Sequence, residues 1–263
     1  MVGRIRRIRR AISRNRRKFT KKRVLLVAAT IVLIFIVSDF ALTYHYGPTL
    51  TPTSTLSPTP TKPLAAIIDS LYVMDNNSYF DKTANSILSN AGYKVNVILG
   101  ANVTVDSFKN ITGYKIIVLR VHTAQEGSLV VFFTGTQAKD PNQDTGYMLE
   151  KMMGWVRIGE VGEQYFYAVT PTMITQDAGQ TKFENTTVIV DSCYGLAADS
   201  MAQAFTGDGA STYIAWNSGV YPQYSDNATL QLLGLISEHV PVAQAISQIP
   251  KEPDFGSTLS AYP

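Results

Sequence analysis

The sequence predicts an α/β domain built on a mostly parallel sheet, a three-layer sandwich, carried behind one N-terminal transmembrane helix. Three observations predict it. Residues 1–23 hold twelve Arg or Lys and no acid, and the remaining 240 residues hold 11 basic against 20 acidic groups. The segment Val24–Tyr44 is apolar along nearly its whole length. Beyond a Pro/Thr-rich stretch, short β-branched runs then alternate with helical patterns, the rhythm of strands joined by right-handed crossovers.

Val24–Ser38 carries no charge, and Asp39 lies near the far end of the segment. As a helix, 21 residues span roughly 31 Å at 1.5 Å per residue, about one hydrocarbon core. The basic tail before it places residues 1–23 in the cytoplasm by the positive-inside rule and the main domain outside, as a single-pass signal anchor in contact with membrane lipid through residues 24–44. Beside a membrane span, the basic tail is read as a topology signal and not as a nucleic-acid site. Residues 45–63 form a linker; thirteen of the seventeen residues at 47–63 are Pro, Thr or Ser. Such a chain cannot form a core and extends in part as polyproline II. Five N-x-S/T sequons, at Asn76, Asn102, Asn110, Asn185 and Asn227, fit an extracellular glycoprotein.

Residues 64–263 form the α/β domain. Strands are expected at 65–73, 94–100, 115–122, 186–193 and 211–218. Helices are expected at about 79–91, stopped by Gly92, then at 196–205, 227–239 and 241–249. Residues 123–185 break the rhythm: SLVVFFTG at 128–135, a helix near 146–155, and short strands at 156–161 and 165–169 read as an insertion with a small antiparallel element. The final DFGSTLSAYP offers at most a short sixth strand.

One Cys excludes a disulfide framework and a Cys-based zinc site, and the three scattered His residues do not form a metal motif. No P-loop or dinucleotide fingerprint occurs, and no metal or organic cofactor is expected. Chemistry in open parallel sheets gathers beyond the carboxyl ends of the strands. Here His122 ends one strand, and Asp191-Ser192-Cys193-Tyr194-Gly195 ends another. If those strands are neighbours, about 4.8 Å apart, His122 and Cys193 meet. A thiol with an ordinary pKa of about 8.5 needs such an imidazole to become a nucleophile at neutral pH. Gly195 keeps the turn slim so that backbone N–H groups can face an oxyanion. Trp216, Asn217 and Ser218 end the fifth strand and are candidate walls of a substrate pocket. Asp191 is a candidate contact for a basic substrate side chain.

The pair KIIVLRVH and VIVDSCYG resembles the caspase- and gingipain-like fold of clan CD cysteine peptidases, which includes CHAT domains. The stretch MAQAFTGDGASTYIAWNSGV is similar to the family's next unit, a helix leading to Gly-Ala and a pocket-forming strand. The resemblance covers roughly residues 65–250. It implies His122 as acid/base, Cys193 as nucleophile, and the backbone N–H groups of Cys193 and Thr123 as oxyanion donors, acting on a peptide or protein substrate. The chain departs from the family at Thr123-Ala124, where a Gly usually follows the His. A non-catalytic relative that binds peptides or partner proteins at the cell surface is the alternative expectation.

Overall fold

Six strands form the main sheet in the order β10-β9-β8-β3-β1-β2. They are β1 (Leu64–Asp69), β2 (Lys94–Leu99), β3 (Ile116–Arg120), β8 (Thr187–Asp191), β9 (Thr212–Trp216) and β10 (Leu259–Tyr262). All pairings are parallel except β9 with β10. This computed structural model describes residues 62–176 and 181–263; the expected basic tail, membrane span and most of the linker lie outside the described residues. Among the described residues, no helix is long and apolar enough to cross a membrane.

The near-continuous apolar runs of the central strands reflect burial on both faces. Along β1, Ala65 and Ile67 point into one core with Phe80, Leu88, Leu232 and Leu233. Ala66 and Ile68 point into the other, with Phe108, Ile111 and Phe205. Each fully buried Ile or Leu contributes about 1.5–3 kcal/mol of burial free energy. The first core is covered by α1 (Ser78–Asn90), α6 (Pro222–Ser237) and α7 (Val242–Ser247); α2 (Val105–Lys109) and α5 (Ser200–Gly207) cover the second. The Asn77 side chain caps α1 at the Phe80 amide, 3.2 Å away, and Gly92 (φ +91°) ends it in the left-handed conformation.

Residues 123–169 carry a separate antiparallel sheet in the order β4-β5-β7-β6: β4 (Thr123–Glu126), β5 (Leu129–Ala138), β6 (Val156–Val161) and β7 (Gln164–Val169). Two short helices, α3 (Met148–Met152) and α4 (Pro171–Ile174), flank β6 and β7. The insertion is thus a four-stranded sheet, one strand richer than the sequence suggests. The additional strand is β4, which follows His122 directly and pairs with the apolar β5. Gly135 marks an irregularity in β5, where a Cβ would sit 1.9 Å from the Gly100 carbonyl oxygen.

Several boundaries move. β1 stops at Asp69 instead of running to 73, because the chain turns into a 3₁₀ helix at Leu71–Val73 and the Tyr72 amide donates to Asp69. α6 starts five residues earlier than expected, with Pro222 in its first turn, where a missing N–H costs nothing. α5 begins at Ser200 instead of 196, and β10 supplies the short sixth strand in antiparallel register with β9.

Candidate functional site

Register builds the site. β3 pairs with β1 so that Asp69 lies opposite Arg120, and with β8 so that Arg120 lies opposite Asp191. Asp69, Arg120 and Asp191 therefore form one row across three adjacent parallel strands. One residue further, the Val121 amide still reaches the Asp191 carbonyl at 3.3 Å. Two residues beyond the row stand His122 and Cys193. Both line one cavity of about 50 Å³, together with Leu71, Val121, Asp191, Ser192, Val220, Pro222, Ser225 and Asp226.

The His122 ring rests edge-on against Phe133, with centroids 5.1 Å apart. Burial lowers its pKa below the ordinary value, so the ring is neutral at neutral pH. The Cys193 thiol is half-buried and donates to the Val220 carbonyl at 3.0 Å. No hydrogen bond joins it to His122 among the described residues. The Cys193 amide has no hydrogen-bond acceptor among the described residues.

Thr123 enters the site through its side chain. Its hydroxyl donates to the Cys193 carbonyl and lies 3.2 Å from the Ser192 hydroxyl. Ser192 also reaches the Cys193 carbonyl, at 3.2 Å. The Thr123 side chain thus ties the loop after β3 to the loop after β8. The special backbone position is Tyr194, at φ +56°, and not Gly195. Gly195 serves close packing: a Cβ there would lie 2.7 Å from the Ala215 Cβ.

The other expected pocket residues separate. Trp216 is fully buried in the core, because the side chains of β9 alternate and its indole faces α6. It reaches the cavity only through a relay: its Nε1 donates to the Ser225 Oγ at 3.0 Å, and Ser225 donates to Asp191. Asn217 is exposed and turned away, its side chain accepting from the Thr258 amide at 2.9 Å. Ser218 uses its carbonyl to hold the Tyr194 amide at 2.9 Å. Neither Asn217 nor Ser218 lines the cavity. Asp191 does.

Sequence reading passes over the base of the site. Arg120 is fully buried and grips Asp226 with two bonds, Nε to Oδ1 at 2.7 Å and Nη2 to Oδ2 at 3.1 Å. Its Nη1 reaches Asp69 at 3.2 Å and the Asp75 carbonyl at 2.8 Å; Nη2 also pairs with the Asp75 carboxylate at 2.7 Å. The Phe80 ring lies 5.6 Å from the guanidinium. Burial raises the Asp69 pKa to about 7 against the pull of Arg120. Burial also raises the pKa of Asp191 well above its ordinary value, and neighbouring Asp226 raises it further. The only sequence signal for this cluster is a charge inside each apolar strand run, Asp69 in AAIID, Arg120 in IIVLR and Asp191 in VIVD. Among the described residues, no three His, Cys, Asp or Glu converge in a geometry that would hold a metal ion.

Chemically, the arrangement offers a neutral imidazole, a thiol, a free backbone amide and a buried acid on one small cavity. Comparison with protein-family models finds no match, and comparison with curated proteins finds none.

Proposed function

We propose that the domain is a caspase-like module of the clan CD type, membrane-anchored through residues 24–44, that hydrolyses peptide bonds outside the cytoplasm with His122 and Cys193. The observation that carries this reading is the shared level of the two residues at the carboxyl ends of adjacent parallel strands, lining one cavity. His122, held neutral by burial, accepts the thiol proton as the Cys193 sulfur attacks the peptide carbonyl. The Cys193 amide stabilises the oxygen of the tetrahedral intermediate. The protonated imidazole then gives its proton to the leaving amine, and water hydrolyses the thioester. Asp191, which lines the cavity, is the proposed contact for a basic substrate side chain, whose charge would draw it into its ionised form against the burial that raises its pKa.

The test is labelling of the full chain with a thiol-reactive peptide electrophile. Wild type is expected to label much faster than His122→Ala; equal, slow labelling of the two refutes the dyad. A second reading is a peptide-binding module without turnover. The bond from the thiol to Val220, in place of one to His122, favours it. That reading predicts peptide binding that survives Cys193→Ala and no product from wild type.

A further inference from the structure

The roof over Cys193 is the loop from Asn217 to Pro222, and it is fastened from outside by the chain's own C-terminal segment. Val220, the thiol's acceptor, and Pro222 form that side of the cavity. The neighbouring Gly219 carbonyl accepts from the Ser257 hydroxyl, a side chain that is fully buried. The Asn217 amide donates to the Thr258 carbonyl at 3.1 Å, and the Thr258 amide donates back to the Asn217 side chain at 2.9 Å. The Tyr221 and Phe255 rings meet at 5.1 Å, each about half exposed, at 52% and 53%. A Cβ on Gly219 would already touch the Phe255 ring at 3.4 Å.

The fastening segment is itself a closed turn. The Glu252 amide donates to the Ser257 carbonyl and the Gly256 amide to the Glu252 carbonyl, both at 2.9 Å. The buried Glu252 side chain accepts from the Phe255 amide. Gly256 takes φ +68°, which a glycine adopts without strain. Immediately after the turn, Leu259 enters β10 opposite Trp216, so the turn is rooted in the main sheet while its Phe255 tip stays at the surface.

We propose that the Glu252–Thr258 turn is a latch that holds the 217–222 loop shut over Cys193 and keeps the thiol latent until the turn is displaced. Among the described residues, the turn holds the loop through the Ser257 hydroxyl, the Asn217–Thr258 pair and one aromatic contact, while the loop's own bonds to the Tyr194 amide and the Cys193 thiol run to the site and not to the turn. The cavity is small, about 50 Å³, and Val220 and Pro222 of this loop wall it, so moving the loop is what widens it for a long substrate side chain. This proposal rests on Cys193 being the nucleophile, but its test does not require turnover.

The experiment measures alkylation of the single Cys by iodoacetamide in the full chain, followed by mass spectrometry, in wild type, Phe255→Ala and the double variant Ser257→Ala/Phe255→Ala. Amide hydrogen exchange is recorded in parallel. The double variant is expected to alkylate about tenfold faster, the factor set by losing one hydrogen bond and one aromatic contact. The Tyr194 and Asn217 amides should exchange faster, while β3 and β8 stay protected. Alkylation within twofold of wild type in both variants, with β3 and β8 protected, overturns the latch. If the double variant loses protection in β3 or β8, Phe255→Ala decides by the same criteria, since it removes an exposed ring and leaves every backbone bond of the turn in place. Repeating the series on His122→Ala separates the two proposals: acceleration by latch release that persists there supports the latch whether or not the dyad stands.

Discussion

Replacing Arg120 by Met should uncover how much of the site's foundation is electrostatic. In the wild type, all of the arginine's partners are acids or carbonyls, and neither its own side chain nor that of Asp69 has any exposure to water. Removing one partner of a buried ion pair typically costs about 3–5 kcal/mol, because the remaining charge has nowhere to go. Here the remaining charges are carboxylates that can escape by taking up protons. Asp69 already titrates at about 7, against an ordinary 3.8. Between about pH 4 and 7 the unfolded chain has released this proton and the folded domain has kept it, so rising pH favours unfolding; the full span is worth on the order of 4 kcal/mol. Without Arg120, the opposing attraction is gone and the folded pKa of Asp69 moves further up. The loss in Arg120→Met should therefore grow with pH: roughly 2 kcal/mol at pH 5, where Asp69 is protonated in both proteins, and roughly 3.5 kcal/mol at pH 8, because only the span above the wild-type value of about 7 separates the two, at about 1.4 kcal/mol per pH unit. Urea unfolding followed by tryptophan fluorescence reads this directly, since the chain's two Trp residues, Trp155 and Trp216, both lie in the described domain. A loss below about 1 kcal/mol at pH 8, or one that is equal at the two pH values, would refute the reasoning.

Two further outcomes concern the reacting groups. Thr123→Val keeps the shape of the side chain and deletes the hydroxyl that reaches the Cys193 carbonyl. It should cost about 1–2 kcal/mol in the same urea assay and slow labelling by a peptide electrophile several-fold, with Thr123→Ser restoring both. The rate of Cys193 labelling between pH 5 and 8 should keep its acid limb below pH 6.5, because burial lowers the His122 pKa and the ring must be neutral to accept the thiol proton. An acid limb above 6.5 contradicts the buried position of the ring.

The sequence reveals elements better than their pairing. β2, β6 and β7 lie within a residue or so of their expected spans, because each is an unbroken β-favouring run. The convergence of His122 and Cys193 was legible for a simple reason. Each follows an apolar run by two residues past a charged one, LR-V-H and VD-S-C, so equal tails on neighbouring strands end at equal height. Whether the two strands are neighbours is left as a condition by the sequence; the β3–β8 register meets it. β4 was not legible, since TAQE has almost no strand propensity and is extended only because β5 supplies a partner. The early start of α6 was hidden by its first turn, PQYSD, whose polar side chains Ser225 and Asp226 face inward to meet Asp191 and Arg120. The assignment of Trp216 as a pocket wall failed for a related reason: a strand's end marks where the backbone leaves the sheet, and alternation alone decides which face the last side chain takes.

Arg120 connects these facts into one design. A buried ionic cluster is weak evidence for stability, since well-packed apolar residues of equal volume often do as well or better. Its geometric consequence is of another kind. The backbone register places Asp69, Arg120 and Asp191 at one height on three strands, with His122 and Cys193 two residues later, and Arg120 ties β3 to Asp69 of β1 at that height. The same guanidinium holds Asp75 in the segment after β1 and Asp226 in the first turns of α6. Those two elements supply Leu71, Pro222 and Ser225 to the cavity wall. An apolar side chain at position 120 could fill the space, but it would not tie α6 and the segment after β1 to β3. The raised pKa values of Asp191 and Asp69 fit the same logic: five acids around one cation are tolerated because burial opposes their ionisation, and the cost is carried by the element on which the site depends.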